Sequence, residues 1–152
     1  MSTKFYDKTF TGNLLESEEI VLGHFIMLGF PAVEKAALRP DDFYGAHNRH
    51  VFNCILRLKG ETLDSVMLAR ELHGTIFPGS SGPHSHIAHL TSKFISPVDL
   101  DAHVNTLKTA GRARNLSALL DDAHDAVLSG SDTDRVMKKL NAEWEAVKSC
   151  RK

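Results

Sequence analysis

Nine histidines in 152 residues are the first feature of this chain that could carry chemistry. The densest group is His84, His86 and His89. At a spacing of three, His86 and His89 share one face of a helix, and His84 on the approach could bring a third imidazole to a zinc ion. The group has no HExxH spacing, no CxxC pair and no internal carboxylate to serve as a general base, so a second reading, polar loop and helix-face histidines, stands beside the metal one. Asp121-Asp122-Ala123-His124-Asp125 holds acid and base types together. A helix points them in different directions, and Leu119, Leu120 and Val127 supply an apolar side, so the run reads as a wet helix face. Gly74-Thr-Ile-Phe-Pro-Gly79-Ser80-Ser81 has the glycine spacing of a phosphate-binding P-loop but fails physically. Ser80 stands where the lysine is needed, Pro78 removes a backbone N–H from the cradle, and the segment before it reads as helix rather than strand. Gly-x-Ser-x-Gly is absent, and Cys54 lies in an apolar run as a small hydrophobe. No catalytic residue and no cofactor site is assigned.

Composition narrows the function classes. With 18 Lys+Arg against 19 Asp+Glu the net charge is −1, and 42% hydrophobic with 24% charged residues suits a soluble globular chain. Residues 1–97 carry 9 basic and 10 acidic side chains, and residues 98–152 carry 9 and 9, so neither half is a basic arm and nucleic acid is an unlikely sole ligand. Two cysteines, Cys54 and Cys150, fit a reducing, cytoplasmic setting. No apolar stretch reaches the roughly 18 to 20 residues needed to span a bilayer.

The elements that must position these residues are helical. The first thirteen or so residues alternate aromatic and polar groups without a helical period and read as an arm. Ser17 is a candidate N-cap for a helix carrying Ile20, Val21, Leu22, Phe25 and Leu28, ended by Gly29 and Pro31. Pro31 opens a short helix, and His47 to Lys59 is amphipathic through Val51, Phe52, Ile55, Leu56 and Leu58. Asp64 caps the next helix, Gly74 to Pro83 is a loop, and a short helix covers about His84 to Phe94. Pro97 and Asp99 open the longest helix, to about Leu128, and Ser129 to Asp132 separates it from a last one. In that last helix Val136, Leu140, Trp144 and Val147 form one stripe. Two long helices joined by about four residues run antiparallel. The expectation is an all-α protein: an arm over 1–13, a helical bundle over 14–95 and a helical hairpin over 98–149.

The segment LRPDDFYGAHNRHVFNCILRLKGETLDSVMLARELHG, Leu38 to Gly74, carries Leu38, Pro40, Asp42, Phe43, Tyr44, Asn48, Arg49, Val51, Phe52, Gly60 and Asp64 in the order L-x-P-x-D-F-Y-x-x-x-H/N-R-x-I/V-F, helix, G-x-x-x-D. It resembles the N-terminal domain of DnaB-type replicative helicases. Glu18 to Gly23 is similar to that family's A-E-x-x-V-L-G opening helix, and Lys108, Arg114 and Leu116 match basic and leucine positions of its long helix. His86 and His103 stand where the family has tyrosines, and Gly111 interrupts the long helix at a cost of about 1 kcal/mol relative to Ala. Read physically, Pro40 restricts the entry to the motif and Asp41 or Asp42 can cap the short turn. Phe43 with Phe52 and Ile55 can plug the bundle, and Arg49 can bond nearby carbonyls or a carboxylate.

The resemblance implies a collar module, not a motor. In such helicases this domain pairs through its hairpin with neighbouring subunits and docks primase and loader proteins, while ATP is hydrolysed by a separate RecA-like domain with a P-loop. For this chain the implied seam is Leu116, Leu119, Leu120, Val136, Leu140, Trp144 and Val147. Homo-oligomerisation, and a replicative helicase, primase or helicase loader as partner, follow as expectations. The chain's end after SCRK favours a stand-alone protein that loads, recruits or blocks a helicase over the collar portion of a longer one.

Overall fold

The computed structural model describes residues 8–149, and they form seven α-helices with two short 3₁₀ turns. In chain order these are α1 (Lys8–Leu28), α2 (Phe30–Ala36), a 3₁₀ turn (Pro40–Asp42), α3 (Ala46–Arg57), α4 (Ser65–Glu71), α5 (Pro83–Thr91), a second 3₁₀ turn (Pro97–Asp99), α6 (Leu100–Leu128) and α7 (Thr133–Ser149). Among the described residues there is no strand.

Local chemistry explains several boundaries. The Asp64 carboxylate accepts the Met67 N–H at 2.8 Å, which starts α4. Pro83 occupies the first turn of α5, where its missing N–H costs nothing. After α6 the chain reverses through Gly130 at φ +89°; Gly130 N–H donates to Val127 O at 3.1 Å and Ser131 N–H to Ala126 O at 3.0 Å. That paired pattern satisfies the last carbonyls of α6 and lets α7 fold back on it.

α1 is the central rod. It packs against α2, α3, α5 and α6, and its Val21, Leu22 and Phe25 are fully buried. Phe25 and Phe43 flank Phe52 with ring centroids 6.0 and 4.7 Å away, and Val51, Ile55, Leu68, Leu72, Ile87 and Leu90 complete the bundle core. The first three turns of α6 belong to that same core through Leu100, Val104, Leu107 and Ala110. From Arg112 onward no side chain of α6 is fully buried, so one unbroken helix, running through the buried Gly111, serves both bundle and hairpin.

Three expectations need correction. Residues 8–13, read as part of an arm, are the first turns of α1; extending a helix already nucleated and anchored by buried Leu14 is cheap, and the aromatic alternation there conceals it. Residues 1–7 of that arm, like Cys150, lie outside the described residues. Ser17 is not a cap but sits inside α1, its hydroxyl 3.2 Å from His103 Nδ1 on α6. The helix expected to reach Phe94 ends at Thr91.

α1 and α5 touch backbone to backbone at Gly23. A Cβ placed there would stand 2.1 Å from the Leu90 carbonyl oxygen, which cannot move without breaking α5. Gly23→Ala is therefore expected to destabilise the fold by about 1–3 kcal/mol in urea unfolding, the usual cost of overpacking.

Candidate protein-interaction surface

Leu14, Glu18, Leu22 and Phe25 follow one another on α1 at spacings of four, four and three, which puts a carboxylate in the middle of an apolar stripe. Glu18 is fully buried, and the motif segment wraps it. Its Oε1 accepts the Gly45 N–H and the Asn48 side-chain N–H, each at 3.0 Å, and its Oε2 accepts the Tyr44 N–H. α3 begins at Ala46 behind Gly45, whose residue type offers no capping side chain, so α1 supplies the acceptor for the chain entering α3. Burial pushes the Glu18 carboxyl above its ordinary value; the Asn48, Tyr44 and Gly45 donors and the Arg114 charge act against that rise.

The other motif residues complete the same corner. Asp42 Oδ2 accepts the Arg39 N–H at 2.9 Å and the Asp42 N–H donates to Arg39 O, so Asp42 is the residue that caps the turn after Pro40. Arg49 donates from Nε and Nη2 to Phe43 O at 3.2 and 2.9 Å, choosing carbonyls over a carboxylate. Phe43, Phe52 and Ile55 are fully buried. Arg114 reaches back from α6, donating to Asp41 O at 2.9 Å with its guanidinium 5.7 Å from the centre of the Tyr44 ring. Asp64, at the far end of α3, serves α4 alone.

The hairpin is built differently. Leu119, Val136 and Leu140 line the seam between α6 and α7; they, Trp144 and Val147 are only half-buried, and Leu116 is more exposed than they are. Leu120 is 51% exposed, Met137 52% and Leu128 73%. Two helices lying side by side cannot cover a broad apolar face on each, so a strip of Leu, Val and Met stays open. Asp121, Asp122, His124 and Asp125 form the wet face expected of them.

The three histidines do not converge. His84 is exposed, His86 stacks on Phe77 with centroids 4.0 Å apart, and His89 Nε2 meets Glu19 Oε2 at 2.5 Å. Desolvation, then the neighbouring His89, lowers the pKa of His86. Among the described residues no three His, Cys, Asp or Glu side chains are arranged to hold a metal ion. His86 and His89 instead line a cleft of about 640 Å³ between the starts of α3 and α5 and the Phe77–Ser80 loop. Sequence reasoning gave Glu18 only as part of the opening-helix motif and missed it as an acceptor; its place inside the apolar stripe was the available signal. It also missed His24, buried in α1.

Comparison with known proteins agrees with the geometry. The family model described as "DnaB-like helicase N terminal domain" matches residues 12–109, more than half of the chain. The crystal structure of the N-terminal domain of DnaB helicase from Mycobacterium tuberculosis superposes with a TM-score of 0.71 at 24% identity, covering 87% of this chain and 96% of that one. No curated protein matches the sequence. No helix among the described residues is long and apolar enough to cross a membrane.

Glu18 generates two expectations. Between the ordinary carboxylate value and its raised one, the folded chain holds a proton the unfolded chain has released, so stability falls as pH rises through that window and is independent of this group above it. Subtracting the Glu18→Gln unfolding curve from that of the natural chain at successive pH values should isolate this slope. Glu18→Ala, which leaves three N–H donors without their acceptor, should cost about 3 kcal/mol at neutral pH.

Proposed function

Because the chain belongs to the DnaB-like helicase N-terminal domain family, we propose that it is a non-catalytic replication module acting by self-association and by binding a replicative helicase, primase or helicase loader. The observation that carries this reading is the open apolar strip of the hairpin. Leu116, Leu119, Leu120, Val136, Leu140, Trp144 and Val147 are each left partly uncovered by the α6–α7 contact, on a hairpin that extends beyond the bundle core. A second hairpin laid against this strip would bury it, with Trp144 as the largest anchor. The near-neutral charge of both halves supports protein partners over nucleic acid. The bundle corner around Tyr44, Arg114 and Asp41 then holds the hairpin at a set angle to the rest, so that a partner reads both at once. A role as a loader or inhibitor of a resident helicase differs from a collar role only in whose hairpin is the partner.

Sedimentation velocity of the full chain is expected to give a dimer or higher assembly, and size exclusion with a replicative helicase and primase to give a complex with at least one of them. Leu120→Asp should reduce the chain to a monomer while changing unfolding free energy by no more than about 0.5 kcal/mol, as expected for a surface position. Trp144→Ala should also lower the mass. A monomeric natural chain that binds neither protein would overturn the proposal.

A further inference from the structure

His24 is 1% exposed and lies in the middle of α1. Both of its ring nitrogens face carbonyl oxygens: Nδ1 is 2.7 Å from Ile20 O, one turn earlier, and Nε2 is 2.8 Å from Ser96 O, in the junction that leads from α5 into α6. Phe94 packs edge-on against the ring at 4.9 Å between centroids. A carbonyl oxygen only accepts, so each contact calls for an N–H on the ring. Neutral imidazole has one N–H and one lone pair; imidazolium has two N–H groups and suits both acceptors.

We infer that His24 is a proton-operated latch between the bundle and the base of the hairpin: the doubly protonated ring ties Ser96 to α1, and loss of either proton loosens the junction. Whichever proton leaves, a ring lone pair is left less than 3 Å from a carbonyl oxygen, in a place sealed from water. The ring must then shift, and because it is rigid, both contacts move together. The junction has few other ties: Asp99 N–H donates to Ser96 O at 3.4 Å, Val98 N–H to Ser96 Oγ at 3.3 Å, and the Val98 side chain is 83% exposed.

The charged groups around this point have other engagements. Past α5, Lys93 stands 3.8 Å from Glu16; at the start of α6, Asp99 and Asp101 are in solvent and His103 is on Ser17. Glu34 and Lys35 of α2 are exposed, Arg49 of α3 is on carbonyls, and Glu18 and Glu19 of α1 are held by the start of α3 and by His89.

The test follows the natural chain by NMR from pH 5.5 to 8.5. Ring ¹⁵N shifts report the protonation of each His24 nitrogen, and amide-exchange protection factors, which already correct for the intrinsic pH dependence of exchange, report the junction at Val98, Asp99 and Leu100. The expected result is a ring protonated on both nitrogens at the acid end. Protection at the three amides should fall about tenfold as the second proton is lost, the loss of one hydrogen bond's worth of restraint. His24→Gln, checked for helical content, should show protection that does not change with pH. A ring carrying a single proton throughout, or protection that does not track its titration, overturns the latch; so does a folded His24→Gln chain with the same pH response. If the variant does not fold, the natural chain's titration decides alone.

Discussion

A carboxylate placed where an apolar side chain would be expected is the constraint on which the remaining structure depends. Burying an unpaired carboxylate is costly enough to prevent folding unless donors meet it, and Glu18 finds three, two from the segment that leads into α3 and one from Asn48 in its first turn. The demand runs both ways: that segment has backbone N–H groups with no helical partner, and α1 has a buried acceptor that needs donors. Satisfying both brings α1 and α3 together in one register. That register sets Phe43 against Phe52, fixes the Phe43 carbonyl that Arg49 holds, and presents Asp41 O and Tyr44 to Arg114 on α6. A nonspecific apolar contact between the same helices would allow them to slide.

Buried and exposed apolar side chains are divided along a single helix. The inner part of α6 places Leu100, Val104, Leu107 and Ala110 in the bundle core, whereas its outer part, beyond the reach of Arg114 to Asp41, lies along α7 and keeps large apolar side chains in solvent. Inner residues such as Leu107 therefore answer to packing, and outer ones such as Leu120 are held by little of it. The exposed ion pair of Lys148 with Glu145 and that of Lys139 with Glu143 lie along α7, where pairs of this kind contribute little to stability but keep the polar side of the hairpin hydrated.

Much of this was legible in the residues. Apolar spacing, proline and glycine place nearly every helix after α1, and the Phe-Tyr segment carries the resemblance to the family. The roles of Asp42 and Asp64 as caps follow from their types and positions, because capping is a local interaction. What escaped was non-local or hidden by composition. The bonds of Glu18 span 26 to 30 residues and those of His24 to Ser96 span 72, so no window on the sequence contains both partners. The early start of α1 was hidden because helix extension needs no apolar face once a later turn is anchored. The division of α6 was hidden because the apolar pattern continues past the point where the bundle ends. The histidine cluster misled in the other direction: proximity in sequence brought two rings to one cleft, but stacking on Phe77 and pairing with Glu19 used them separately.

The continuity of α6 has a mechanical consequence. Its outer seventeen residues, 112 to 128, make a stiff arm about 25 Å long at 1.5 Å per residue. A tilt of about 5° where the helix leaves the bundle carries the Gly130 turn through roughly 2 Å, enough to bring apolar side chains at the tip into or out of van der Waals contact. Angular play at the root is thus magnified at the end, and the Arg114 bond to Asp41, within the first turn of the arm, restrains it close to the fulcrum, so that a slack of a few tenths of an ångström there becomes a much larger displacement of the tip.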